Sequence, residues 1–449
     1  MRWHRIHTLL FGLAGSLVLI PLIAGCGGGG EDEETPTPGG TPEATSEATG
    51  APQQAGAVSA LGIWGGGELD SFDAMVAPWE QETGGSVQFT GTRSITSDLT
   101  LRVQGGNPPD IALPAETGLF QQFAKDGKLA KLSDCPGLEE AVMADYPQAF
   151  LDLGTVDGTL YGFFLKVDSK ATVWYNPKVL TDANIQPLTA SNTFDDLVAL
   201  SDQAKGAGLP PWSIGMEAGD GSGFPGSDWI QQIVLNDDGA DVYDGIVDGS
   251  IPFTDPRMKV AWEKFGAIAL TDGYVAQGSA AAINATNFQD ATYLPFDTPP
   301  QAAMVNLGSF ASGFIQTQFP DLVPGEDFSF FTWPGGAVSG GANIVYAFNS
   351  DSSTCSLMSW LESAEAQKIW VARGGFHSVN ENVSLDSYPD EVEKNVAEQL
   401  TSAPVFRFDL DDAIGGALQQ TYFAGVGQYL ADPGQLDSIL ANIEGQRGQ

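Results

Sequence analysis

From Val58 onward, short apolar runs alternate with segments whose apolar residues recur every three or four positions, and glycine or proline separates them. That rhythm restricts the chain to the α/β class, in which strands are joined through helices. Val58 to Trp64 is strand-like and is broken by Gly65-Gly66-Gly67. Leu69, Phe72, Met75, Val76 and Trp79 then repeat at helical spacing, so Leu69 to Thr83 predicts a helix. Val87 to Phe89 predicts a second short strand, Ile95 to Gln104 a helix closed by Gly105-Gly106, and Ile111 to Leu113 a buried strand. In open α/β sheets ligands sit beyond the carboxyl ends of the strands, which marks Trp64 to Glu68 and Pro114 to Thr117 as binding loops.

The folded body is preceded by two segments of a different kind. Arg2 and Arg5, an apolar run from Leu9 to Ile23 and then Ile23-Ala24-Gly25-Cys26 predict a bacterial lipoprotein signal over residues 1–25. The run is shorter than the roughly 20 residues a bilayer-spanning helix needs. The mature chain would then begin at Cys26; the resemblance to lipoproteins implies acyl chains on that cysteine, and two or more chains at about 0.8 kcal/mol per buried CH₂ give stable attachment. An ordinary signal peptide that happens to contain a cysteine is the alternative. Residues 26–57 hold Gly27 to Gly30, the acidic Glu31 to Glu34 and then Thr, Pro, Ser, Ala and Gly without an aromatic. Such a segment cannot offset its own ordering entropy and predicts a disordered tether. At about 5–6 Å × √n, roughly 30 flexible residues put the body on the order of 30 Å from the membrane.

The body itself can bury a large core, since the chain is 42% hydrophobic with 25 Phe, 10 Trp and 10 Tyr. At about 100–200 residues per domain, it predicts two or three domains. Charge narrows the partners: 57 acidic against 19 basic residues leave a net charge of −38, a field that repels phosphate backbones. Nucleic acid is therefore excluded as a partner, and neutral or cationic ligands remain. With Cys26 assigned to lipid, Cys135 and Cys355 are left, and outside the cytoplasm such a pair can close one disulfide. His377 is the one histidine beyond the signal segment and no cysteine pair has ligand spacing, so no zinc site is expected; no other metal and no cofactor is expected either. Gly127-Lys128 lacks the rest of a P-loop, and Gly219-Asp220-Gly221-Ser222-Gly223 reads as a flexible turn rather than a phosphate cradle.

Several motifs, in order, carry a resemblance. Ile63-Trp64-Gly65, Gly106 to Ala112 (GNPPDIA), Phe123 to Leu129 (FAKDGKL), Asp157 to Gly162 (DGTLYG), Trp174 to Pro177 (WYNP) and Ser363 to Trp370 (SAEAQKIW) resemble the extracellular solute-binding proteins of carbohydrate ABC importers. These are the family 1, maltose-binding-protein-like receptors, and the likeness spans Val58 to Gly445. Trp370 to Phe376, Phe406 to Asp409 and Asp228 to Ile230 are most similar to the alpha-glucoside-binding branch. Two departures stand out: Gly223-Phe224-Pro225 where Gly-Trp-Pro is expected, and Asp411 to Ile414 after Asp409.

The resemblance implies a two-lobe, type II periplasmic-binding-protein-like fold, hinge-linked, with a cleft between the lobes. Lobe 1 would take residues 58–165 with about 343–388, and lobe 2 residues 166–341 with about 400–449. It implies a monomeric, lipid-anchored binding protein outside the cytoplasm, and no enzyme. Its partners would be a neutral sugar, an alpha-glucoside or another di- or oligosaccharide, and the membrane subunits of the importer. A secreted glycoside hydrolase and a sugar-sensing receptor lobe are the alternative functions.

A pyranose has an apolar C–H face and a rim of hydroxyls, so its site needs flat aromatic rings and planar polar groups. By position in the family's cleft loops, the ligand-binding residues would be Trp64, Glu68 and Glu116 in the first lobe, and Lys166 and Asp168 at the first hinge. The second lobe would supply Glu217, Phe224, Asp228 and the aromatic platform Phe310. Asn343, Phe376, Arg407 and Asp409 complete the set.

Overall fold

The computed structural model describes residues 55–448. The expected signal segment, Cys26 and the tether as far as residue 54 lie outside the described residues. The body opens with β1 (Ala57–Gly62), β2 (Ser86–Gly91) and β3 (Ile111–Leu113). A short hairpin of β4 (Thr155–Val156) and β5 (Thr159–Leu160) precedes β6 (Gly162–Ser169) and β7 (Thr172–Tyr175). Then come β8 (Trp212–Ser213), β9 (Met304–Asn306), β10 (Ser329–Thr332), β11 (Val338–Ala347) and β12 (Phe406–Phe408).

These strands form two main sheets. In the first, β2, β1 and β3 are parallel and β11 runs antiparallel to β3. β6 and β12 both pair with the long β11, giving six strands. The second sheet has four strands in the order β10-β7-β9-β8. Helices cover both, as the sequence rhythm predicts. The helix Gly67–Thr83 buries Phe72, Met75, Val76 and Trp79, and ends where Gly84 turns left-handed and its N–H bonds the carbonyl of Glu80. The helix Ile95–Gln104 buries Ile95 and Leu99.

The chain passes between the sheets at the ends of strands. β6 belongs to the first sheet and β7 to the second, so Lys170-Ala171 is one crossing. The segment from Trp333 to Ala337, between β10 and β11, is the return. A further crossing follows β12, after which the helix Gly416–Ala431 packs Tyr422, Val426 and Leu430 into the second lobe's core. The expected boundaries at 165/166 and 341/343 thus fall inside β6 and β11. The reason is the ladder itself: β6 keeps its pairing with β11 as far as Ser169 and Gly340. Phe406–Phe408, expected with the second lobe, also pairs with β11.

Each lobe has its own core. Trp64, Phe72, Trp79 and Trp370 pack in the first, and Trp212, Trp229, Trp262 and Trp333 in the second. Cys135 and Cys355 are joined as a disulfide, which ties the turn before the helix Leu138–Asp145 to the helix Ser352–Glu362. The bond closes a loop with a sequence separation of 220 residues. Replacing both cysteines by serine is expected to lower stability by about 2–5 kcal/mol, measured by denaturant unfolding under non-reducing conditions.

Candidate functional site

A cleft with about 870 Å³ of empty space, part of it open to solvent, lies between the two sheets. Its walls are built from strand ends and helix starts. Trp64 follows β1, Glu68 sits in the first turn of the helix Gly67–Thr83, and Glu116 immediately precedes the helix Thr117–Lys125. β6 contributes Lys166 and Asp168, and the crossing contributes Lys170. Alternate strand residues share a face, so positions 166, 168 and 170 all turn toward the cavity. A register shift between Asn343 and Ile344 sets Asn343 opposite Lys166 and brings both to the wall.

Aromatic rings form the other side. Phe310 follows β9, with Phe314 one turn on at 5.6 Å between ring centroids. Phe224 and Phe288 meet edge to face at 5.2 Å. Phe423 reaches the cavity from the helix Gly416–Ala431. The ammonium of Lys166 lies 5.5 Å from the centre of the Phe310 ring, and that of Lys170 lies 5.1 Å from the Phe224 ring.

Two buried ion clusters hold the lysines in place. Lys166 Nζ donates to Glu68 Oε1 at 2.8 Å and stands 3.6 Å from Asp168 Oδ2. Burial pulls its pKa down, but the Asp168 and Glu68 carboxylates outweigh that and hold it above the ordinary lysine value. Lys170 Nζ lies 3.1 Å from Asp228 Oδ1 and 3.0 Å from Asp409 Oδ2. Asp411 and Asp412 complete this second cluster, with Ser227 donating to Asp411 and Gln419 Nε2 donating to Asp412 Oδ1 at 3.0 Å. Burial, and then repulsion from Asp409, pushes the Asp411 and Asp412 carboxyls well above the usual range. The geometry requires that outcome, because one ammonium cannot neutralise so many buried carboxylates and some must keep a proton. Asp228, Asp409 and Asp411 oxygens converge within 4.8 Å, a spacing suited to a metal ion. The Lys170 ammonium already pairs with two of the three, Asp228 and Asp409.

Several polar atoms in the wall have no partner within the protein. Trp64 Nε1 and Asn343 Nδ2 are donors of this kind, and Glu116 Oε2 and Gln419 Oε1 are acceptors. Glu116 is held through its other oxygen, which accepts from Thr96 Oγ1 at 3.0 Å, and burial raises its pKa. Buried polar groups are nearly always satisfied, so a wall of this composition suits a ligand that both donates and accepts.

The structure brings together Trp64, Glu68, Glu116, Lys166, Asp168, Phe224, Phe310 and Asn343 of the residues the sequence suggests. Asp228 and Asp409 lie behind the wall, where they hold Lys170. Glu217 does not line the cavity; it accepts from Asn287 Nδ2 at 2.6 Å, beside the loop that follows it. Phe376 is fully buried against Trp370, with ring centroids 5.1 Å apart. Arg407 forks onto Asp244 at 2.6 and 2.9 Å, away from the cavity. Trp64 itself is 1% exposed and stacks on Phe89, so it offers the cavity an edge more than a face. Sequence reasoning missed Arg93, Lys170, Phe288, Asp412 and Gln419. The alternation of Lys166, Asp168 and Lys170 was the available signal for one of them.

Residues 74–399 match the family model of bacterial extracellular solute-binding proteins. The osmoprotective compounds-binding protein GgtB of Synechocystis sp. is 30% identical over 380 residues, covering 83% of this chain and 88% of that protein. The alpha-glucosides-binding periplasmic protein AglE of Rhizobium meliloti is 29% identical over 401 residues, covering 86% and 85%. Among solved structures, a chitin oligosaccharide binding protein superposes with a TM-score of 0.73 at 19% identity, over 87% of this chain and 97% of that one. That last likeness speaks to the fold, and it is the two-lobe one.

The acidic cluster has a pH signature. Asp411 binds its proton more tightly in the folded chain than an ordinary aspartate near pKa 4, so its contribution to stability falls as pH rises above that value. Asp411→Asn is therefore expected to make the loss of melting temperature between pH 5 and pH 8 shallower than in the unmodified chain, as read by calorimetry.

Proposed function

Because the chain belongs to the bacterial extracellular solute-binding proteins, we propose that its cleft captures a neutral sugar and delivers it to the membrane subunits of an ABC importer. The ligand class is an alpha-glucoside or another di- or oligosaccharide, in keeping with the names of AglE and of the chitin-oligosaccharide receptor. One observation carries this reading. Phe224, Phe288 and Phe310 supply apolar rings beside buried donors and acceptors that lack protein partners. Stacking suits the C–H face of a pyranose, and hydroxyls satisfy Asn343 Nδ2 and Gln419 Oε1 alike, since a hydroxyl donates and accepts.

The proposed cycle is hinge closure about the crossings at Lys170-Ala171 and Trp333 to Ala337. Sugar bridging the lobes favours the closed form by its contacts to both. The ligand-facing residues in this reading are Trp64, Glu68, Glu116, Lys166, Asp168, Phe224, Phe310 and Asn343, with Lys170, Asp412 and Gln419 added. Lipid on Cys26 keeps the protein at the outer face of the membrane, where the tether lets it reach the importer.

Two measurements test this. A panel of disaccharides including maltose and trehalose is screened by thermal shift, where a ligand at 100 times its Kd adds about 2.7 kcal/mol to the folded state. Phe310→Ala is expected to weaken calorimetric affinity by about 1–3 kcal/mol while melting as a folded protein, and unchanged affinity removes Phe310 from the site. For the anchor, Cys26→Ser is expected to shift the protein from the membrane fraction to the soluble extracytoplasmic fraction.

A further inference from the structure

The glycine-rich run at Gly219–Gly223 makes one of the direct contacts between the lobes, and it does so at the cavity wall, which Gly221 lines. Gly219–Gly221 forms a single 3₁₀ turn ahead of the second-lobe helix Phe224–Asp237. Facing it, from the first lobe, is the stretch from Arg93 to Ser97, which spans the end of the link from β2 and the first turn of the helix Ile95–Gln104. Asp220 N donates to the carbonyl of Arg93 at 3.3 Å, and Ser97 Oγ donates to Asp220 Oδ2 at 2.8 Å. Inside this contact the Arg93 guanidinium lies 5.3 Å from the centre of the Phe288 ring.

Glycine is required at both ends of the run. Gly219 has φ +64, and a Cβ there would fall 2.9 Å from Arg93 Cβ and 3.1 Å from its carbonyl oxygen. A Cβ at Gly223, φ +114, would fall 2.4 Å from the carbonyl oxygen of Phe423. The turn is thus fitted between the first lobe and the helix Gly416–Ala431, which the reading of this run as a loose turn did not anticipate. Arg93, Ile95 and Gly221 line the cavity, whereas Ser97 and Asp220 do not. The contact therefore roofs the cavity, with its hydrogen bond on the outer, exposed side.

We propose that the Gly219–Gly221 turn is a latch that joins the lobes directly over a bound ligand and sets how long the ligand stays. This rests on the reading of the cleft as a ligand site. The two hydrogen bonds connect protein to protein across the cleft, so they contribute to retention and not to recognition, and they are lost when the lobes part. Ser97 and Asp220 are positioning residues in this scheme. They act by holding the closed form.

The test is a double-mutant cycle read by stopped-flow, using whichever disaccharide the thermal screen identifies. Ser97→Ala and Asp220→Ala are each expected to raise the dissociation rate about 3–10-fold, with association unchanged. The double variant should exceed neither single by much, because both remove one bond. Unchanged rates, or strictly additive effects, overturn the latch. A second arm needs no ligand: Ser97→Cys paired with Asp220→Cys is treated with a short bis-methanethiosulfonate. Intramolecular bridging supports the latch, and failure to bridge while both single-cysteine controls label fully overturns it. If no saccharide binds the unmodified chain, the sugar reading falls, and the bridging result still decides the latch.

Discussion

The antiparallel ladder between β6 and β11 is the interaction on which the site depends. It runs from Gly162 opposite Tyr346 to Ser169 opposite Gly340, and both strands are buried along their whole length. The chain leaves the first sheet at the end of β6 and re-enters it at the start of β11, so this one pairing holds two of the crossings side by side. Close approach is possible because β11 carries Gly340 and Gly341 there: a Cβ on Gly340 would fall 2.8 Å from the carbonyl oxygen of Asp168. A change in the pairing register by one residue would turn Lys166 and Asp168 away from the cavity and Leu165 and Val167 into it.

Burying charged groups at such a junction is costly, and the arrangement of partners shows how the cost is offset. Each lysine is matched to carboxylates from other elements: Lys166 to Glu68 of a helix, Lys170 to Asp228 of another helix and to Asp409 beyond β12. Asp409 in turn accepts from Gln231 Nε2 at 2.6 Å, and Tyr243 donates to Gln231 Oε1 at 2.7 Å. The second lobe's interior is thereby connected to the cavity wall by consecutive hydrogen bonds. Residues such as Asp228 can matter to a binding site while never facing what binds there.

Much of the fold was legible because it rests on local periodicity. The helices at Gly67–Thr83 and Ile95–Gln104 and the strand at Ile111–Leu113 follow from apolar spacing and from glycine or proline stops. Loop positions after strands then pointed to Trp64, Glu68 and Glu116, and all three line the cavity. Legibility stopped where a residue's role depends on distant neighbours. Phe376 and Phe310 are alike as sequence, yet one packs wholly against Trp370 and the other faces the cavity. Arg407 is equally mute, because only its meeting with Asp244 shows that its charge is spent elsewhere.

From composition and order alone follow the α/β class, a large core, repulsion of polyanions at net charge −38, and the family likeness. Hydrophobic period and net charge are sums over neighbours in the chain, so they survive without coordinates. Which carboxylates meet which lysines, whether Cys135 reaches Cys355, where the chain crosses between sheets and which phenylalanines face the cavity were decided only in three dimensions. Those outcomes depend on pairings between segments far apart in sequence, and the physics of burial acts on the assembled neighbourhood, not on the order of residues.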